Sequence, residues 1–251
     1  MISALKAEFK KLLTVRSTYY ISFIVLIFVI FIAFYVTGWR LNPSELRDPT
    51  QLAGDVTGAL NVTVFGAIVA ILLMTHEYRY NTITYTLTSS NSRSKVLWAK
   101  FIVVSVYALI FAAVVALLSP IMTSLGVHAA GHTLAPQVLH YSNLAWRSLF
   151  YGWGYGMAGL LLAVLLRNQV ASIVGLFVIH GVVEQLLSLL LKHNTVYLPF
   201  TSLEQVIGNS DPRIGSISPA RGALVFTVYV VVGWAVAWYL FLHRDATKLD
   251  S

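Results

Sequence analysis

Thr18-Tyr19-Tyr20-Ile21-Ser22-Phe23-Ile24-Val25-Leu26-Ile27-Phe28-Val29-Ile30-Phe31-Ile32-Ala33-Phe34-Tyr35-Val36-Thr37 contains no charged side chain. A helix needs about 20 mostly apolar residues to cross the hydrocarbon of a bilayer, and this run supplies them. Arg16 precedes it and Gly38-Trp39-Arg40 follows it. The run is longer than the apolar region of a cleavable signal, and no small-residue cleavage pattern follows it. It is therefore expected to stay in the protein as a first membrane span.

The same pattern recurs five times, at about 56–75, 99–122, 144–166, 170–191 and 222–242. The second run opens with Thr57, Asn61 and Thr63, the third carries Pro120 near its end, and Arg147 and several glycines dilute the start of the fourth. Composition agrees: 57% of residues are hydrophobic and 11% charged, with mean hydropathy +0.75. A soluble domain carries roughly 25% charged residues, and a 251-residue soluble fold has too little interior to hide this much apolar surface. The expectation is an all-α integral membrane protein, a single transmembrane domain over 1–251 with six helical spans. Cysteine is absent, which excludes disulfides, a thiol nucleophile and a cysteine metal site. The net charge of +7 sits beside the apolar runs, which points to a lipid surface rather than to nucleic acid. Asn61-Val62-Thr63 has the spacing of a glycosylation sequon but lies inside an apolar run.

Six spans put both termini on one side. That side then carries Lys6, Lys10, Lys11, Arg16, Arg79, Arg93, Lys95, Lys100, Arg167, Arg244 and Lys248, which are 11 of the 17 Lys and Arg residues. Cytoplasmic loops are enriched in Lys and Arg, so a cytoplasmic-membrane protein with both termini in the cytoplasm is expected. Before the first span, Ile2, Leu5, Phe9 and Leu12 recur at three- and four-residue steps, while Lys6, Lys10 and Lys11 fall on other faces. This spacing predicts an amphipathic interface helix over 1–16; a plain basic flank is the blander reading.

No phosphate-binding G-x-x-x-x-G-K-[ST], no H-E-x-x-H and no G-x-S-x-G is present. The chain is not expected to be an enzyme, and energy for transport would have to come from a partner or an ion gradient. The most informative polar stretch runs from His76 to Lys100, between the second and third spans. In it Tyr80, Ile83 and Leu87 are spaced to share a helix face, and Ser92 is placed to cap the helix entering the third span.

This stretch resembles the cytoplasmic loop of ABC-2 type permeases. The family pattern is Glu, an aromatic, a basic residue, Gly-Thr, then a Ser-Arg pair and a Lys at the start of span three. Glu77, Tyr78, Arg79, Thr82, Ser92, Arg93 and Lys100 fall on it, and Asn81 stands where Gly is usual. Lys6-Ala7-Glu8-Phe9-Lys10-Lys11-Leu12 is similar to the family's interface helix, and His243-Arg244-Asp245 to its C-terminal flank. The resemblance implies the permease subunit of an exporter, with no cofactor of its own. Two such chains, identical or different, would pair with cytoplasmic ATP-binding cassette subunits that hold ATP and Mg. It further implies a coupling helix built on Glu77, Tyr78, Arg79, Thr82, Ile83, Leu87 and Arg93, and an interface helix using Leu5, Glu8, Phe9, Lys10 and Leu12.

Span five carries His180, Glu184 and Ser188 at steps of four, with Gln185 beside them. A carboxylate near mid-membrane must face protein or water. The group reads as a substrate path or a polar lock between helices, or else as a packed Glu bonded to His180 or to a neighbouring span. Two ligands on one helix do not make a metal site. In span four, Gly152 and Gly156 form a small-xxx-small pair suited to close helix packing. The loop from Lys192 to Arg221 holds Tyr197-Leu198-Pro199-Phe200, Leu203, Val206 and Ile207, which predict a short amphipathic helix, and the family resemblance implies that it dips into the outer leaflet. His128, His132 and His140 are too irregularly spaced to suggest a metal. Two other functions stay open at this level: an immunity or sensing subunit that binds a membrane-active peptide, and an intramembrane enzyme using His180 and Glu184.

Overall fold

In a computed structural model, residues 2–40, 59–80, 82–90, 92–133, 141–208 and 214–243 are described. Asn81, His140, Arg244, Asp245 and the start of the second predicted span lie outside them. Among the described residues there is no strand, and six helices are long and apolar enough to cross a membrane.

The chain opens with α1 (Ile2–Thr14). Val15, in extended backbone at φ −79° and ψ 112°, breaks the helix and lets the chain turn into α2 (Arg16–Phe31). The π-helical segment Ile32–Trp39 completes span one. A 3-10 stretch, Ala59–Phe65, leads into α3 (Gly66–Arg79), and together they form span two. The short α4 (Ile83–Ser90) connects to α5 (Arg93–Ala129), which is span three, and then to α6 (Tyr141–Leu166), which contains span four. Span five is built from α7 (Gln169–Val178), a π-turn at Ile179–Val183 and α8 (Glu184–Leu191). After the 3-10 segment Lys192–Tyr197 come α9 (Pro199–Ile207) and α10 (Pro219–His243), the sixth span.

Spans two and four form the interior, with 72% and 56% of their apolar windows buried, against 11% for span five. Outside, Phe23, Ile27 and Phe31 on span one, Leu186, Leu189 and Leu190 on span five, and Leu224, Val228 and Val231 on span six are exposed. Such a continuous apolar exterior is stable only with lipid as solvent. The small residues read in span four act as packing surface: a methyl group on Gly152 would lie 2.5 Å from Ala112 Cβ, and one on Gly156 would lie 2.7 Å from Ala108 Cβ.

A tighter crossing, not evident from spacing, joins spans one and three. A methyl group on Gly126 would fall 2.1 Å from the Phe34 carbonyl oxygen and 2.9 Å from Gly38 Cα. Gly126→Ala is therefore expected to destabilise the chain by about 1–3 kcal/mol through overpacking. Thermal unfolding of the purified protein measures this against Gly181→Ala, where a methyl group meets nothing within 4 Å. Equal midpoints for the two variants would contradict the close crossing.

Span three runs further than its apolar core. Span three was expected over 99–122, yet α5 continues through Pro120 and covers Arg93–Ala129. Its first turns are polar but pack on the bundle, so helix and hydrocarbon length differ. Ser92 stands at its N-cap position. Tyr80 does not share a helix face with Ile83 and Leu87, because it caps α3 and is exposed, while α4 begins only at Ile83. The predicted helix in the outer loop is present as α9. Pro199 begins it and Gly208, at φ +84°, ends it, the usual placement of the two helix-limiting residues. It is buried almost throughout, against α6 and α10.

Candidate functional site

At the end of the bundle that carries α1, four charged side chains meet in the interior. Lys100 on α5 is fully buried, and Glu8 on α1 and Glu77 on α3 are nearly so, at 1% and 5% exposure. Lys100 Nζ donates to Glu8 Oε2 at 2.9 Å, to Glu77 Oε1 at 2.9 Å and to the Leu73 carbonyl at 3.3 Å. Lys11 Nζ donates to Glu8 Oε1 at 2.7 Å, to Glu77 Oε1, and to Thr86 Oγ1 on α4 at 3.4 Å. Each ammonium has three donors, and each finds three acceptors. Two carboxylates and two ammoniums balance in charge, the condition under which ions can be held away from water.

The elements explain how the four groups converge. On α1, Glu8, Lys11 and Leu12 lie three and four residues apart and so share a face. Leu12 packs with Val69 of α3 and Val103 of α5, and this apolar contact brings Glu8 over Lys100. The inward face of α1 is thus centred on Glu8 and Leu12, and Lys11 turns toward the bundle, a correction to its expected place on another face, while Ile2 is 72% exposed. Leu5 and Phe9 are half-buried against the same cluster, and Lys10 is exposed.

The residues expected to meet a partner through the α3–α4 segment divide into two groups. Glu77, Tyr78 and Ile83 are buried inside the chain, and Leu87 packs against the core. Glu77 is held by the ion cluster, and Tyr78 has the Arg167 guanidinium over its ring at 5.6 Å. Arg93 reaches across to span six, donating to the Leu242 carbonyl at 3.3 Å. Arg79, Thr82, Thr84 and Tyr85 are exposed, Tyr85 at 76%. Beside the ion cluster, a cleft of about 460 Å³ opens between α1 and α4, lined by Lys11, His76, Glu77, Tyr80, Tyr85 and Thr86 among others.

Toward the opposite end, span five meets α9. Glu184 Oε1 accepts the Phe200 amide at 2.7 Å, and Oε2 accepts the Thr201 amide and hydroxyl, both at 2.7 Å. Those amides belong to the first turn of α9, whose N–H groups have no intrahelical partner, so Glu184 caps that helix from another element. Its partner is neither His180 nor a neighbouring span, a correction to the packed reading made from sequence. His180 Nε2 lies 3.4 Å from Glu204 Oε1 on α9, and its ring packs edge-on against Phe200. Ser188 donates to the Gln185 carbonyl of its own helix and does not join them. Asn61, the first residue of the sequon-like triplet, accepts from Tyr151 OH at 2.7 Å and so links spans two and four. Among the described residues, no group of three or more His, Asp or Glu could hold a metal ion.

Sequence spacing did not reveal the role of Glu8 or Lys11. The available signal was an acidic residue on the apolar side of an otherwise basic helix, together with a lysine inside an apolar run at position 100. Residues 4–184 match the model of a family described as ABC-2 family transporter protein. No curated protein matches the chain.

Proposed function

The chain belongs to the ABC-2 family of transporter proteins, and from that membership we propose that it is the permease subunit of an ATP-driven exporter in the cytoplasmic membrane. In this reading a separate cytoplasmic subunit binds and hydrolyses Mg-ATP, and the permease works as a pair of identical or related chains with its termini in the cytoplasm. Membership does not favour the immunity or sensing alternative.

The observation that carries the reading is the Glu8–Lys11–Glu77–Lys100 cluster. It ties together the interface helix, the end of span two that runs into α4, and the start of span three. A push on α4 therefore reaches three elements at once, because Lys11 also bonds Thr86 of α4. Exposed Arg79, Thr82 and Tyr85 are the surface such a subunit would touch, while buried Glu77, Tyr78 and Ile83 transmit the push inward.

Tyr85→Ala tests the docking part. The side chain is exposed, so folding and membrane insertion should be unchanged. Removing an aromatic anchor from an interface typically costs about 2 kcal/mol or more, roughly thirtyfold in affinity. Co-purification with the ATP-binding subunit, and the substrate-stimulated ATPase of the complex, should fall accordingly. A Tyr85→Ala complex that assembles and couples like the parent would remove α4 from the interface.

A further inference from the structure

Span five is the least buried of the six, and its outer half meets α9 through a few polar groups. Phe200 and Glu204 lie four residues apart on α9 and so share a face. That face turns toward span five. Glu184 caps its first turn, the His180 and Phe200 ring centroids are 5.3 Å apart, and His180 Nε2 lies 3.4 Å from Glu204 Oε1. The side chains of that last pair are 28% and 27% exposed, so a proton can reach both.

Two carboxylates and one imidazole therefore border the same stretch of α9. Among the described residues, neither Glu184 nor Glu204 has a Lys or Arg within ion-pair distance. The other elements packed on α9 add no cation there. From α6, Tyr155 stands edge-on to His180 at 5.9 Å, with Tyr151 against it. Arg147 of α6 lies at the far end of α9, 3.9 Å from where a methyl group on Gly208 would stand. Lys192 and His193 of the 3-10 segment and Arg221 of α10 are exposed. Two carboxylates confined together favour the neutral form of one of them. Glu184 has three donors on its oxygens, whereas the partner of Glu204 is His180. Glu204 is thus the acid suited to keep a proton. Burial, with the Glu184 carboxylate beside it, pushes the Glu204 carboxyl up to about 7.

We propose that Glu204 and His180 hold one proton between them as a latch that keeps the outer half of span five against α9, and that loss of this proton loosens the contact. With the proton in place, Glu184 is the one negative charge at the turn. Without it, a second carboxylate charge faces Glu184. The π-turn at Ile179–Val183 supplies the freedom to move, since a methyl group on Gly181 meets nothing within 4 Å. The closed contact binds the proton more tightly than the loosened one, in which Glu204 returns to the ordinary carboxyl range. The latch is therefore firmest in acid, weakens as pH rises toward about 7, and changes little above it. It rests on the fold and not on ATP-driven transport.

Hydrogen exchange of the purified full-length chain in detergent, from about pH 5 to about pH 8 and corrected for the intrinsic pH dependence of exchange, tests the latch. The Phe200 and Thr201 amides, which donate to Glu184, should lose protection roughly fiftyfold from the acid to the alkaline end, as a carboxyl at about 7 in the closed form requires. Amides of α10 should keep theirs. Glu204→Gln keeps the shape without the titration and should hold the acid-end protection at every pH. His180→Leu removes the group that shares the proton and should lower acid-end protection roughly fivefold, the worth of one hydrogen bond. Should Glu204→Gln fail to fold, the parent and His180→Leu profiles decide the matter. A flat parent profile, a Glu204→Gln profile that still falls with pH, or a His180→Leu profile equal to the parent's would each overturn the latch. A parallel loss of α10 protection would overturn it as well, by making the change one of global unfolding.

Discussion

Lys100→Met is expected to destabilise the chain by about 3–5 kcal/mol, the cost of leaving a buried charge without its partner. The substitution keeps the length and apolar body of the side chain while removing the ammonium. Glu8 and Glu77, both almost fully buried, would then share only Lys11, which is itself 36% exposed. Two carboxylates facing one cation leave an uncompensated negative charge in the interior. Thermal unfolding followed by tryptophan fluorescence, with recovery of monodisperse protein after extraction, measures the loss. The diagnostic comparison is the double variant Lys100→Met with Glu8→Leu, which again balances one acid against one base. It should regain part of the loss, since residues in one ion network do not contribute additively. If the single change costs less than about 1 kcal/mol, or the second substitution makes matters worse by its full independent cost, the cluster is not acting as a unit.

The cluster also marks the limit of what spacing conveys. Six apolar runs announce six spans, because the length needed to cross hydrocarbon is fixed and side chains facing lipid must be apolar along the whole run. Thr18–Thr37 falls inside Arg16–Trp39 for that reason. What hydropathy does not convey is where a helix continues beyond the hydrocarbon: the apolar run begins at Ala99, and only Ser92, as a capping residue, marks the turns from Arg93 to Trp98 that lead into span three. It also cannot pair charges that are distant in the chain: Lys100 and Glu8 are 92 residues apart, and each reads locally as an ordinary basic or acidic flank. Glu77 was legible as important but not as buried. Its role depends on α1 docking over α3 and α5, and that docking rests on Leu12, a residue whose period alone does not name its partner. In span five, the π-turn at Ile179–Val183 shifts the helical register between His180 and the helix that follows, so steps of four ceased to predict a common face for all three residues, and Ser188 bonds the Gln185 carbonyl of its own helix instead.

Glu184→Leu is the second large effect, expected to destabilise the chain by about 3 kcal/mol or more. The side chain receives three donors, the amides of Phe200 and Thr201 and the Thr201 hydroxyl, and is itself 4% exposed. Each buried donor left without an acceptor costs about 1–3 kcal/mol, and the hydroxyl alone can rotate to find another. Glu184→Gln separates this capping role from a place on a transport path. An amide keeps the shape but turns one acceptor oxygen into a donor, which would face the α9 N–H groups that now donate to Glu184. The Gln variant should therefore lie between parent and Leu, losing about 1.5–3 kcal/mol, the range for hydrogen bonds to a charged group. Hydrogen exchange reads the mechanism directly: the amides of Phe200 and Thr201 should lose protection in both variants, while those of α10 stay protected. Transport by the Gln variant, followed across pH against the parent, supplies the opposing outcome. Altered transport with α9 protection and thermal midpoint unchanged would assign Glu184 to the path and remove it as the cap of α9. A parallel loss of protection and stability, with transport falling only in proportion to folded protein, is the result that the three hydrogen bonds require.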